Sequence, residues 1–206
     1  MSGRLRLAVL LSGTGRTFDH LLARCRSGEL AAEVVGVISS RGDVRGVEKA
    51  RAAGVPTVVL RRKAYSDSAS YGAAIGAQLR EWRTELAAMA GFLQLWSVPR
   101  DFAGRVLNIH PSLLPAFGGP GMHGHHVHEA VLAAGAKVSG CTVHFADDQY
   151  DSGPIVLQRC VPVRFEDTAD TLAARVFEQE CLAYPEAIAL FAAGRLRIVG
   201  RRVEVR

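Results

Sequence analysis

The chain has 206 residues, 49% of them hydrophobic, with a formal net charge of +5 and a pI near 9.3. That length and apolar content suffice for one well-buried core or at most two small domains, and no apolar stretch approaches the length of a membrane span. Four scattered cysteines (Cys25, Cys141, Cys160, Cys181) lack the paired spacing of a zinc site or a disulfide framework, and the arginine-rich segments lack the interleaved aromatics of a single-strand-binding platform.

The expected elements alternate. Leu5 to Leu11 is an apolar run ending in Ser12-Gly13-Thr14-Gly15, and Thr17 to Cys25 carries helical spacing at Phe18, Leu21, Leu22 and Cys25. Val34 to Ile38 is a second strand, Val44 to Ala53 a helix stopped by Gly54, and Pro56 to Leu60 a third strand. A helix from about Ser68 to Trp82 leads to a strand over Leu86 to Ala90 and another over Val106 to His110. Short apolar strands separated by helices predict a mostly parallel open α/β sheet covered on both faces. After His110 the pattern changes. A Gly/Pro/His loop leads to a short helix over His128 to Ala134, followed by strands over Ser139 to Phe145 and Ile155 to Val163, which form an antiparallel extension. A long helix from about Thr168 to Ala193, capped by Asp167 or Thr168, precedes a terminal strand pair near Leu196-Val199 and Arg202-Val205. The expectation is a single domain over 1–206, with halves of about 1–105 and 106–206. The cysteines are expected to be reduced and mostly buried, and the start of the chain shows no signal-peptide pattern, so the expected location is cytoplasmic.

The glycine loop Gly13, Thr14, Gly15, Arg16, Thr17 lies between a strand and a helix, where backbone N–H groups and the helix dipole favour an anion. A dinucleotide fingerprint would place a third glycine at Phe18 and an acidic residue where Ser39-Ser40-Arg41 stands, and a nucleotide P-loop would need Gly-Lys-Ser/Thr. A monophosphate fits best. Further along, Asn108 and His110 project from one side of a strand that Pro111 ends, at the carboxyl edge where open α/β sheets bind ligands. Asn108 offers an amide donor for a developing oxyanion, His110 titrates near neutrality, Asp151 sits in a glycine-bearing turn, and Thr142 and His144 share one strand face. These are parts of an acyl-transfer site without a serine or cysteine nucleophile, which points to direct attack by a substrate amine. His123, His125, His126 and His128 lack a recognised ligand spacing, so no metal is expected.

Leu11-Ser12-Gly13-Thr14-Gly15, Ala90-Gly91-Phe92, Asn108 to Pro115, Gly140 to Phe145 and Asp151 to Gln158 occur in an order and spacing similar to those of the phosphoribosylglycinamide formyltransferase family, over nearly the whole chain. The resemblance implies formyl transfer from 10-formyltetrahydrofolate to the primary amine of glycinamide ribonucleotide. It implies Asn108, His110 and Asp151 as catalytic residues, Thr142 and His144 behind them, the glycine loop on the substrate phosphate and Glu180 on the ribose. Met89, Leu93, Gln94 and Leu95, together with Asp147, Gln149 and Tyr150, match the segments that line the pterin pocket. Gln94 and Ser68 stand where some members carry arginine. The implied partners are small molecules, without nucleic acid or membrane, in a monomer or homodimer. The alternatives are a related formyltransferase acting on an amino sugar nucleotide or initiator tRNA, a folate deformylase, and a catalytically silent binding module.

Overall fold

The computed structural model describes residues 3–206. They form two compact units, one ending at Leu107 and the other starting at Asn108. In the first, β1 (Leu5–Leu11), α1 (Arg16–Ser27), β2 (Ala32–Ser39), α2 (Arg45–Ala52), β3 (Thr57–Val59), α3 (Ser68–Glu81) and β4 (Leu86–Met89) follow one another. The strand order is β3-β2-β1-β4, and every one of these pairs is parallel. Parallel strands covered on both faces must be apolar on both sides. Accordingly, every residue of β1 except Arg6 is buried.

In the second unit, β5 (Val106–His110), which begins two residues before the boundary, is followed by α4 (His125–Ala133), β6 (Val138–Phe145), β7 (Ile155–Pro162), α5 (Ala169–Ala192), β8 (Leu196–Val199) and β9 (Arg202–Val205). The β6–β7 and β8–β9 pairs are antiparallel, and β7 meets β9 in parallel at Ile155 and Arg202. The fold is therefore α/β and mostly parallel, with antiparallel pairing among the C-terminal strands. Thr168 caps α5 in a reciprocal capping box with Thr171. Arg175 locks that corner by two 2.8 Å bonds to Asp167. Helix α5 runs through Pro185, where the ring removes one backbone bond, because Ala183, Tyr184, Pro185, Ala187 and Ile188 are all buried there. No helix among the described residues is long and apolar enough to cross a membrane.

Two sequence expectations are corrected. His128 does not start its helix, which begins three residues earlier behind Gly124; the histidine-rich stretch lacks the apolar pattern that marks a helix, but Val127 and His128 both face inward. The cysteines are also not mostly buried. Cys25 and Cys141 are, whereas Cys160 is exposed and Cys181 half-buried. Cys160 points outward from β7, whose exposed and covered positions alternate.

The segment after β4 is keyed to α3. Ser97 N–H donates to the Ser68 carbonyl at 3.1 Å, and the approach is so close that a Cβ on Gly72 would lie 2.0 Å from the Ser97 carbonyl oxygen. Helix propensity alone would make Gly72→Ala stabilising by about 1 kcal/mol, but overpacking costs about 1–3 kcal/mol. Urea unfolding should therefore show the variant to be less stable than wild type. A gain in stability would mean that residues 91–99 are not held against α3.

Candidate active site

Side chains two apart on a strand share a face, and Asn108 and His110 use that face to reach the same acceptor. Asn108 Nδ2 lies 3.4 Å from Asp151 Oδ1, and His110 Nδ1 lies 3.4 Å from the same oxygen. The other carboxylate oxygen, Oδ2, accepts the Gly119 N–H at 2.9 Å. The Asp151 side chain is only 10% exposed and that of His110 4%. Asp151 adopts φ +54°, a left-handed conformation that aspartate tolerates better than most residues. Its turn is folded on itself: Asp147 Oδ1 accepts from the Gln149 N–H at 3.0 Å, and Ser152 Oγ lies 2.9–3.0 Å from both Asp147 oxygens. Gly153 is obligatory, since a Cβ there would sit 1.8 Å from the Phe145 carbonyl oxygen. Arg201, at the β8–β9 bend, donates to the Ser152 carbonyl at 2.9 Å.

Both ring nitrogens of His110 face acceptors. Nε2 lies 2.8 Å from the Phe117 carbonyl, and Nδ1 faces Asp151 at 3.4 Å. The shorter contact places the proton of a neutral ring on Nε2, which leaves the Nδ1 lone pair opposite the carboxylate. A proton arriving at the site has a ready position between them. Burial holds the His110 pKa below its ordinary value, and the Asp151 charge acts in the opposite direction. Burial would by itself raise the Asp151 carboxyl, but contacts with His144, the His110 charge and the Gly119 amide outweigh it, so Asp151 is held below the usual value. The resting pair is then a carboxylate beside a neutral imidazole.

His144 Nδ1 lies 2.9 Å from the Phe145 carbonyl and donates to it, which leaves Nε2 as an acceptor for Asn108 Nδ2 at 3.0 Å. His144 Nε2 is 3.8 Å from Asp151 Oδ1. Asn108 thus has one strong amide bond, to His144, and one long one, to Asp151. Thr142 supports the loop rather than touching these groups. Its Oγ1 donates to the Ser112 carbonyl at 2.6 Å and accepts the Leu114 N–H at 3.0 Å, while Gln158 Nε2 reaches both Thr142 Oγ1 and the Leu114 carbonyl. Glu180 is half-buried on α5, and its charge, after burial, helps push the Cys141 thiol up to about 12. The Phe117 carbonyl, the Gly119 amide, Gln158 and Arg201 were not expected to act here. Backbone groups carry no residue-type signal, although the adjacent Gly118-Gly119 pair marks where a loop can approach closely. A Cβ on Gly118 would be 3.2 Å from Asp151 Cβ.

In the first unit, Gly15 caps α1 at φ +71° with no side-chain bond to the first turn, so the leading amides of the helix are uncapped by side chains. Gly13 holds the loop through its carbonyl, which accepts the Gly46 N–H at 3.0 Å. Thr14 and Arg16 are exposed and Thr17 half-buried. Ser12 joins this loop to the next: its Oγ is 2.6 Å from Ser40 Oγ and accepts the Leu93 N–H at 3.0 Å, and its N–H donates to Gly91. Met89 ends β4 and Leu93, Gln94 and Leu95 lie in the segment after it, with Leu93 exposed; Asp147, Gln149 and Tyr150 belong to the second unit, with the last two exposed. Among the described residues no group of three or more His, Cys, Asp or Glu side chains could hold a metal ion. His125 and His126 instead face Asp170 and Glu129, each at 3.4 Å.

Residues 5–188 match the formyl transferase family model. Phosphoribosylglycinamide formyltransferase of Haemophilus influenzae is 37% identical over 195 residues, covering 94% of this chain and 90% of that protein. The bovine trifunctional purine biosynthetic protein adenosine-3 is 43% identical over 197 residues, and this chain spans only 19% of its length. Among solved structures, glycinamide ribonucleotide transformylase 1 from Symbiobacterium toebii superimposes with a TM-score of 0.90 at 43% identity, over 98% of this chain and 93% of that one. A family match across nearly the whole chain, and full-length relatives with the same fold, place this chain in the formyl transferase family, among the phosphoribosylglycinamide formyltransferases.

Proposed function

We propose that the chain transfers the formyl group of 10-formyltetrahydrofolate to the primary amine of glycinamide ribonucleotide. The observation that carries this reading is the convergence of Asn108 and His110 on one oxygen of a buried, ionised Asp151. No nucleophilic side chain is among these groups, which suits direct amine attack.

In the proposed step, the amine nitrogen bonds to the formyl carbon and the carbonyl electrons move onto oxygen. The long Asn108–Asp151 contact is the weaker of the two amide bonds, so that N–H turns to the developing oxyanion while His144 keeps the amide oriented. The proton lost by the amine enters the gap between His110 Nδ1 and Asp151 Oδ1. Collapse of the tetrahedral intermediate breaks the bond to the folate nitrogen, which takes that proton as it leaves. In this reading the glycine loop from Gly13 to Thr17 holds the ribonucleotide phosphate through backbone amides, and Glu180 accepts from the ribose hydroxyls. Residues 89, 93–95, 147, 149 and 150 contact the folate.

The direct test is a spectrophotometric formyl-transfer assay with glycinamide ribonucleotide, an amino sugar nucleotide, and no acceptor in parallel. Turnover with glycinamide ribonucleotide alone is expected. Turnover with the sugar alone, or formyl loss without an acceptor, would reassign the reaction.

Replacing Asp151 by Asn removes both the proton site and the charge that raises the His110 pKa. Turnover should fall by roughly 10²–10⁴, with ribonucleotide binding little changed. The sign for His110 is also fixed: burial continues to favour the neutral ring without an opposing carboxylate, so its titration followed by NMR should move to lower pH than in wild type. An upward move would contradict the assigned pairing.

A Cβ added at Gly13 meets nothing within 4 Å, so Gly13→Val should leave the fold intact while its side chain enters the open space at the loop. The KM for the ribonucleotide should rise about tenfold or more, as expected for loss of about 1.4 kcal/mol of binding, with the KM for folate unchanged. Equal rises in both would dissociate this loop from the phosphate.

A further inference from the structure

Ser12 stands between β1 and the glycine loop, and it holds the segment after β4 at two points. Its N–H donates to the Gly91 carbonyl at 3.0 Å, and its Oγ accepts the Leu93 N–H at 3.0 Å. Phe92, between these two, is buried and stacks on the buried Tyr71 with ring centroids 6.4 Å apart. The segment is thus anchored at Gly91 and Phe92 without the Ser12 side chain. What the Oγ bond adds is to fix the amide of Leu93, where the stretch 93–95 begins. The other side of Ser12 is equally tight. Its Oγ lies 2.6 Å from Ser40 Oγ, the Ser40 N–H donates to the Leu11 carbonyl at 3.1 Å, and the adjacent Gly13 carbonyl accepts the Gly46 N–H at 3.0 Å. A Cβ on Gly15 would lie 2.8 Å from Gly46 Cα, so the loop is packed against α2 as well. Ser12 and Ser40 are both buried, where a low local dielectric strengthens such bonds. One peptide bond therefore separates the glycine loop from the residue whose hydroxyl holds Leu93.

We infer that the Ser12 hydroxyl couples the two reactant subsites, so that ribonucleotide on the glycine loop raises the affinity for folate and folate raises the affinity for ribonucleotide by the same factor. This rests on the formyl-transfer reading above, which puts the phosphate on Gly13 to Thr17 and the folate on residues 93–95. Ser12 is a positioning residue and touches neither reactant. The sign is positive because each ligand restricts the chain on its own side of Ser12. The second to arrive finds the Ser12–Leu93 bond already held and loses less freedom on binding.

The test measures calorimetric binding of a non-transferable folate to wild type, Ser12→Ala and Ser40→Ala, with and without saturating glycinamide ribonucleotide. In wild type the ribonucleotide should tighten folate binding about 3- to 10-fold, the range of one neutral hydrogen bond, and by itself should slow hydrogen exchange at the Leu93 amide. In Ser12→Ala the two affinities should be independent of each other, with Leu93 exchange indifferent to ribonucleotide. Ser40→Ala removes a hydroxyl from the same buried pair but leaves the Ser12–Leu93 bond, so it should keep the coupling; a merely structural role for the pair would make the two variants alike. Independent affinities in wild type, coupling that survives in Ser12→Ala, or coupling lost equally in both variants would overturn the assignment. If Ser12→Ala does not fold, a wild-type Leu93 amide whose exchange ignores ribonucleotide would overturn it alone. Wild type that binds both reactants without transferring formyl would overturn the reaction and leave the coupling to the binding data, whereas wild type that does not bind the ribonucleotide would remove both.

Discussion

A carboxylate almost cut off from water has to find its hydrogen-bond donors within the protein, and the arrangement around Asp151 is organised by that requirement. The donors come from two separate stretches of chain, Asn108 at the end of β5 and the Gly119 amide in the loop after it, and His144 on β6 orients Asn108 by accepting from its amide. Each stretch is in turn fixed by something else. Buried apolar residues hold β5, Thr142 and Gln158 pin the loop through Ser112 and Leu114, and Gly153 lets the Asp151 turn sit against the end of β6. Moving any one of them would leave a buried charge short of a partner, which explains why a contact as far along the chain as Arg201 to the Ser152 carbonyl bears on the same turn.

The same constraint sets the acid–base character of the site. Burial drives His110 towards neutrality, and Asp151 drives it towards charge. With Nε2 committed to the Phe117 carbonyl, the remaining nitrogen and the carboxylate oxygen form a pair that is one proton short of full satisfaction. In the proposed mechanism, a pair in that state takes a proton from the reacting amine and returns it to the leaving nitrogen without a large reorganisation. Asn108 complements it from the same strand face, because its bond to His144 fixes the amide plane while its second N–H has only a long contact to give up.

Most of the scaffold was legible in the sequence because its signals are local. The run of Leu5 to Leu11, apolar apart from Arg6, identified a doubly covered strand, Pro111 ended β5 where the sheet ladder stops, and the terminal pair from Leu196 to Val205 was placed to the residue. Strand alternation was enough to put Asn108 and His110 on one side. It could not supply the Phe117 carbonyl or the Gly119 amide, because those groups are the same in every residue and their positions depend on how the loop closes. The start of α4 was missed for a related reason. A run of histidines lacks the apolar contrast that marks a helix, and only tertiary packing shows that Val127 and His128 turn inward while His125 and His126 face carboxylates at the surface.

Local rules of stability are broken most densely in the same place. Asp151 and Phe117 both have positive φ, and His110 is buried against its preference for water. Each is a cost of a size that folded domains tolerate singly, about 1–3 kcal/mol for a strained backbone position, and their clustering around one carboxylate is not what packing alone would produce. In the first unit, β1 is buried apart from Arg6, and a polar network of Ser12 with Ser40 and the Leu93 amide ties the glycine loop to the segment after β4. In the proposed mechanism the pair that moves the proton keeps an acceptor partly unmet, and the positive-φ residues Asp151 and Phe117 lie at that pair.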